Sequence, residues 1–224
     1  FSSGEPLLPE LWHAWRDATG TRIIQGFGAS EFLSRVLSPS AEGEPVGSLG
    51  RAVPGYTACL VDEQGEVIPP GGRGFLAVRG PTGCRYLGDE QQQRDFVRRG
   101  WNVTSDIFDQ DADGCFWYVG RKDDIIVSSG YNIAAVEVER AIAAHPAVLE
   151  CAVVRVPDPA RGMIVRACVV LHHGQEASEA TARTIQEHVK SAIAPYKYPR
   201  DVRFMEQLPR TASGKVERYK LQGK

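Results

Sequence analysis

Lys215 ends a run of small residues, Pro209-Arg210-Thr211-Ala212-Ser213-Gly214-Lys215. A lysine on such a Gly-bearing loop can reach into a cleft and neutralise charge while a carboxylate oxygen attacks phosphorus. Most exposed lysines, however, only meet solvent. Gly26-Phe27-Gly28-Ala29-Ser30-Glu31 offers other groups. Its glycines let backbone approach a ligand, Ser30 presents a hydroxyl to phosphate oxygens, and Glu31 is a hard oxygen ligand suited to Mg2+. Most turns of this kind simply redirect the chain. Asp106, closing Gly100-Trp101-Asn102-Val103-Thr104-Ser105-Asp106, can accept both hydroxyls of a ribose or serve as a plain turn residue. In Gly120-Arg121-Lys122-Asp123-Asp124 the arginine can hydrogen-bond a nucleotide sugar and an aspartate can act as a hinge. The commoner fate of such a run is a solvated charged turn. Ser128-Ser129-Gly130-Tyr131-Asn132 supplies unencumbered backbone for lining a narrow channel, or an ordinary turn before a helix.

Three textures of sequence must position these groups. Residues 7–18 carry Leu7, Leu8, Leu11, Trp12 and Trp15 at helical spacing, and residues 21–25 follow as a short strand. From about 45 to 119, short strand-like runs (56–61, 75–79, 115–119) alternate with Gly-, Pro- and Asp-rich turns, which predicts a small antiparallel sheet or distorted barrel. Beyond 124 the pattern is α+β: strands over 124–129, 151–156, 167–171 and 202–205, with helices over 135–144 and 180–194. No internal repeat or low-complexity segment interrupts it.

Composition narrows the function classes. A net charge of −2 leaves no basic footprint for nucleic acid or an anionic membrane surface. No apolar run approaches membrane-spanning length. The five cysteines are scattered, with no CxxC pair, so they read as small hydrophobes in a reducing compartment rather than as zinc ligands or disulfides.

Taken in chain order, these segments resemble the adenylate-forming superfamily: acyl- and aryl-CoA synthetases, luciferases and peptide-synthetase adenylation domains. Ser3-Gly4-Glu5-Pro6 is similar to its adenine-contacting loop, and Gly26–Glu31 to its aromatic-Gly-x-Thr-Glu segment. Residues 74–80, GFLAVRG, resemble its GELxVxG strand, and Thr104-Ser105-Asp106 its TGD. Gly120-Arg121-x-Asp123-Asp124 resembles the GRxDD hinge, and Tyr196-Lys197-x-Pro199 and Ser213-Gly214-Lys215 the terminal signatures. Residues 79–87, 129–134 and 196–200 most resemble 2-aminobenzoate- and benzoate-CoA ligases.

The resemblance implies an α/β and α+β fold. Residues 1–119 would be the C-terminal part of the large N-domain with its small β-barrel subdomain, 120–123 a hinge, and 124–224 a mobile α+β lid domain. It implies a reaction in which a carboxylic acid, an aromatic one by this likeness, and ATP with Mg2+ give an acyl-adenylate and pyrophosphate. CoA then gives the thioester and AMP. Lys215 would be the catalytic lysine and Asp123 the hinge; Asp106 and Arg121 would hold the ribose. Gly4, Glu5, Phe27 and Gly28 would line the nucleotide site, Ser30 would contact phosphate and Glu31 the Mg2+. Ser129, Gly130 and Asn132 would border the CoA channel, with Arg161, Lys197, Arg200 and Arg203 as candidates for the CoA phosphates. The expected partners are small molecules, with no nucleic acid and no membrane, and a homodimer through a region upstream of these residues; the expected compartment is the cytoplasm. A ligase loading an aryl acid onto a carrier protein, and an inactive nucleotide-binding or interaction fragment, are the alternatives.

Three departures from the family pattern bear on function. The Gly- and Ser/Thr-rich phosphate loop is not among these residues. Phe32-Leu33-Ser34-Arg35 stands where aryl ligases often carry a histidine, so Arg35 either pairs with a substrate carboxylate or faces solvent. Ser105 replaces a glycine, which costs little unless the backbone needs positive φ. From the first departure, the 224-residue chain alone should release no pyrophosphate from ATP with any acid offered, as a coupled phosphate assay on the purified chain would report.

Overall fold

The computed structural model describes residues 1–5, 7, 9–40, 44–212 and 214–222. Pro6, Leu8 and Ser213, which the sequence reading invoked, lie outside the described residues. The chain divides into two compact units, Phe1–Lys122 and Asp123–Lys224.

The first unit opens with α1 (Pro9–Thr19) and continues with β1 (Phe27–Ala29), β2 (Ser34–Ser38) and β3 (Arg51–Ala52). Then come β4 (Thr57–Val61), β5 (Val67–Ile68), β6 (Arg73–Arg79), α2 (Glu90–Phe96), β7 (Val97–Arg98), β8 (Trp101–Gln110) and β9 (Phe116–Arg121). Strands β1, β2 and β3 form one antiparallel sheet. The others form a second, ordered β5-β4-β6-β8-β7, with β9 also paired to β8. Every pairing in it is antiparallel, which is the small twisted sheet that dense turn signals announce. Its core combines aliphatic side chains with aromatic rings: Phe32 and Phe108 are fully buried, with Phe96 and Phe116 nearly so.

Two local expectations fail here. Residues 21–25 form no strand of a sheet; Gln25 makes a single parallel bridge to Ser2. A parallel ladder needs a run of partners, and Ser2 alone supplies its N–H to Ile24 and its carbonyl to Gly26. Helix α2 was not foreseen, because its residues (Glu-Gln-Gln-Gln-Arg-Asp-Phe) have no apolar period. It is set instead by a cap, the Asp89 carboxylate accepting from the Gln92 amide at 2.8 Å, and by Phe96 entering the core.

The second unit contains β10 (Ile125–Ser128), β11 (Tyr131–Ala134), α3 (Ala135–Ala143), β12 (Val148–Asp158) and β13 (Gly162–Leu171). It ends with α4 (Glu179–Ala192), β14 (Asp201–Phe204) and α5 (Arg218–Leu221). The sheet runs β11-β10-β13-β12, with β14 parallel to β13. Sequence reading saw β12 and β13 as two short apolar runs; they form one long hairpin paired from Val148–Leu171 to Asp158–Gly162. Alternate residues face opposite sides. Val153, Val165, Ala167 and Val169 pack with Val138, Ile142, Ile185 and Val189 of α3 and α4. Ala152, Val154, Val156, Cys168 and Val170 pack instead with Leu208, Val216 and Leu221 of the C-terminal segment. Arg166, on that second side, is buried because its Nε reaches Asp201 of β14 at 2.6 Å.

Beyond α3, the His145 Nδ1 accepts from the Ala147 amide at 3.2 Å, and the ring packs edge-on against His188 of α4. Burial first, then the neighbouring His188, hold the His145 pKa below its ordinary value. A depressed folded pKa gives stability that is present above the unfolded value, roughly 6.5, and lost as pH falls through the folded one. The urea midpoint should therefore drop between pH 7.5 and pH 5, and drop less in His145→Gln; equal drops in both proteins would remove His145 from the account.

Candidate functional site

The metal-, adenine- and sugar-binding candidates lie in the first unit. Glu31 sits in a single 3-10 turn, Ser30–Phe32. Phe32 is driven fully into the core, and Leu33 takes a left-handed φ of 58° to turn the chain into β2. This anchoring leaves Ser30 exposed and Glu31 half-buried. The Tyr86 hydroxyl donates to Glu31 Oε1 at 2.8 Å. Burial, then that hydrogen bond, push the Tyr86 phenol above its ordinary pKa, so it remains a donor. Tyr86 is itself fixed, its amide donating to Gln93 Oε1 of α2 and its ring packing edge-on against Phe96. Sequence reading placed residue 86 in a family-like stretch but gave it no role, because its partner is 55 positions away.

Phe27 and Gly28 have structural duties of their own. The Phe27 ring packs edge-on against Phe108 at 5.0 Å and stacks near Tyr118. A Cβ on Gly28 would lie 2.3 Å from the Ser34 carbonyl oxygen, so the close β1–β2 pairing already demands glycine there. Gly4, at φ 97°, and Glu5 are exposed and follow the Ser2–Gln25 bridge; the Glu5 carbonyl accepts from Gln25 Nε2. Arg35 stands exposed over the Phe1 ring at 4.3 Å.

Asp106 owes its place to a bulge. Along β6 and β8 the register Phe75–Ile107 gives way to Ala77–Val103, so Thr104, Ser105 and Asp106 together stand opposite Leu76. The Thr104 hydroxyl completes the disturbed ladder, donating to the Leu76 carbonyl at 3.3 Å and accepting from the Asp106 amide at 3.2 Å. On the other edge of β8, Asp106 is paired in register with Arg121 of β9. Arg121 Nη2 donates to Ser105 Oγ at 2.9 Å. Ser105 is not among the residues at positive φ, so the serine is unstrained, and it supplies an acceptor that glycine could not. Asp106, Ser105 and Arg121 thus form one local constellation.

The second unit carries the remaining candidates. Asp123 is exposed in the Lys122–Asp124 turn, where one compact unit ends and the next begins. Ser129 and Gly130 are not a plain turn before a helix, as one sequence reading had it. They are the two central residues of the β10–β11 hairpin, at φ 49° and 83°. Positive φ at both positions marks a type I′ turn, which matches the strand twist. Asn132 is paired with Val127 and exposed. Arg161 is brought to this turn, its carbonyl accepting from the Ser129 amide and its Nη1 donating to Ser129 Oγ at 3.2 Å. The other proposed phosphate ligands are engaged: Lys197 with Glu137 at 2.5 Å, Arg200 with the Tyr198 hydroxyl at 2.8 Å, and Arg203 with Asp201 at 3.5 Å. Lys215 is exposed on a loop closed by the Arg210–Val216 bridge.

Replacing Tyr86 by Phe keeps the contact with Phe96 and removes the hydroxyl that donates to Glu31 and also faces the Cys84 thiol. The loss should be about 1 kcal/mol, read from urea unfolding. An unchanged midpoint would show that the Tyr86–Glu31 bond adds nothing in solution.

Residues 1–86 match the model of the AMP-binding enzyme family, and residues 137–215 that of the AMP-binding enzyme C-terminal domain. The chain is 44% identical to a mitochondrial acyl-coenzyme A synthetase of Homo sapiens, an alignment covering 98% of this chain and 39% of that protein. The crystal structure of an anthranilate CoA ligase in complex with anthranoyl-AMP matches with a TM-score of 0.89 at 38% identity, over 98% of this chain and 43% of that one. A benzoate CoA ligase from Burkholderia xenovorans matches with a TM-score of 0.89 at 37% identity, covering 99% and 45%. The chain spans about two fifths of the length of the curated relatives it matches. With both family models matched in order and likeness extending over nearly all its residues, the chain belongs to the adenylate-forming, AMP-binding enzyme family and carries that family's C-terminal domain.

Proposed function

We propose that this chain is the C-terminal portion of an ATP-dependent acid–thiol ligase that converts a carboxylic acid of the benzoate or 2-aminobenzoate class into its CoA thioester. The observation that carries the reading is the likeness, at 38% identity over 98% of the chain, to a ligase solved with anthranoyl-AMP. In the first half-reaction a carboxylate oxygen attacks the α-phosphorus of ATP, and pyrophosphate leaves with the electrons of the broken P–O bond. Lys215 supplies positive charge beside the phosphate oxygens on which negative charge builds. Asp106 accepts from the ribose hydroxyls, and Arg121, held by Ser105, adds a donor beside it. Gly4, Glu5, Phe27 and Gly28 border the nucleotide, and Ser30 donates to phosphate.

Glu31 fits a Mg2+ ion that takes most of its ligands from nucleotide oxygens and water. Among the described residues no group of three or more His, Cys, Asp or Glu side chains gathers, so Glu31 would be the protein's share. Such an ion neutralises phosphate charge when bound. In the second half-reaction the CoA thiolate attacks the acyl carbonyl, the C–S bond forms, and AMP leaves. Ser129, Gly130 and Asn132 border the thiol's path, and Asp123 is the hinge about which residues 124–224 turn between half-reactions. All five cysteines are free thiols, which fits a reducing compartment, and we assign the cytoplasm.

The test is pyrophosphate release and thioester formation by the whole gene product, offered benzoates and straight-chain acids with and without CoA. A benzoate should give CoA-dependent thioester and AMP, and Lys215→Ala should lower adenylation by about 100- to 1,000-fold. Turnover of straight-chain acids alone would refute the aromatic assignment; no pyrophosphate with any acid would refute the ligase.

A further inference from the structure

The loop bearing Lys215 is closed on itself and tied down at both ends. Within it, the Thr211 amide donates to the Lys215 carbonyl at 2.8 Å and the Gly214 amide to the Thr211 carbonyl at 2.9 Å. The Lys215 amide donates to Thr211 Oγ1 at 3.1 Å. On the incoming side, Arg210 spans the loop: Nη1 donates to the Gly214 carbonyl at 2.6 Å, and Nη2 pairs with Glu150 of β12. On the outgoing side, Arg218 at the start of α5 grips Glu139 of α3 with both terminal nitrogens, Nη2 to Oε2 at 3.1 Å. Arg218 Nη1 also donates to the Val153 carbonyl at 3.0 Å, and Glu139 Oε1 accepts from the Val153 amide at 2.7 Å. Leu208, Val216 and Leu221 add apolar anchors on the hairpin face opposite α3.

These groups differ from Lys215 in one respect. Lys215 is exposed, whereas Glu139 keeps only 15% of its side chain accessible and Arg218 29%. The Arg210–Glu150 pair is more open, at 40% and 31%. A forked guanidinium held by a carboxylate and a backbone carbonyl fixes direction as well as distance. That is what a short loop with a Gly at φ 88° beside its lysine otherwise lacks.

We propose that Glu139–Arg218, assisted by Glu150–Arg210, is the positioning device for Lys215, so that the half-reaction using Lys215 depends on these pairs and the thioester-forming one does not. The inference rests on the functional reading above. Misplacing a charged group by about 1 Å can cost on the order of 100-fold in rate. A general loss of folding would slow both half-reactions together.

The variants are Glu139→Gln and Glu150→Gln, each close in shape to its parent. In the whole gene product, ATP–pyrophosphate exchange should fall on the order of 100-fold in Glu139→Gln, and less in Glu150→Gln. Conversion of supplied acyl-adenylate and CoA to thioester should stay within about twofold of wild type in both, since no Lys215 placement is involved. In parallel, hydrogen exchange on this chain should speed up across residues 211–217 while β12 and β13 stay protected. Equal losses in both half-reactions, or unchanged pyrophosphate exchange, overturn the proposal. Should Glu139→Gln lose protection in β12, the more exposed Glu150→Gln decides by the same split. If the wild-type protein itself shows no pyrophosphate exchange, the ligase reading fails. Hydrogen exchange then decides the positioning claim by itself, and unchanged amides across 211–217 reject it.

Discussion

Both faces of the β12–β13 hairpin are buried, and the Asp123–Lys224 unit is organised by that constraint. Alternation along a strand sends successive side chains to opposite sides, so two apolar faces require two separate covers. Helices α3 and α4 cover one face; the segment from Leu208 to Leu221 covers the other. The Lys215 loop is therefore the exposed part of a piece of chain whose remainder is pinned to the sheet. Its position is inherited from packing, with Arg210 and Arg218 as the polar ties. Arg166 follows the same logic, since a charge on a buried face is tolerable only when paired, and Asp201 of β14 supplies the partner.

In the Phe1–Lys122 unit, irregularities of an antiparallel sheet do comparable work. The bulge in β8 sets Thr104, Ser105 and Asp106 opposite a single residue of β6, and the Thr104 hydroxyl makes good the ladder bonds that the bulge disturbs. Ser105 and Arg121 then meet across the β8–β9 edge. Glu31 is oriented by a similar economy. Phe32 is inserted into the core, and Tyr86, braced by α2, reaches over to the carboxylate. In each case the polar group stands beside an apolar neighbour whose burial fixes the backbone.

Several candidate residues carry structural roles beside the chemical ones assigned to them. Gly28 is required by the Ser34 carbonyl, the Phe27 ring by Phe108, and Ser129–Gly130 by a type I′ hairpin. A family motif therefore marks a local geometry as much as a ligand contact. Among the cations singled out for an anionic ligand, Lys197, Arg200 and Arg203 are engaged by Glu137, Tyr198 and Asp201. Arg161 is held against the Ser129 turn instead.

The sequence by itself determined the elements whose signals are local. Apolar period placed α3 and α4 to within a few residues, strand-like runs between turn residues placed β4, β6, β9 and β10, and ordered motifs singled out Glu31, Asp106, Arg121 and Lys215 as candidates. Tertiary structure decided whatever depends on partners distant in the chain. It joined β12 and β13 into one hairpin, replaced the expected strand at 21–25 by a single bridge, and formed α2 from residues with no apolar period. It also chose Tyr86 for Glu31, and Glu139 and Glu150 for the arginines flanking Lys215, across separations of 55, 79 and 60 residues. A hydrogen bond or ion pair leaves no periodic trace in a sequence, because its geometry exists only once packing has brought the two groups together.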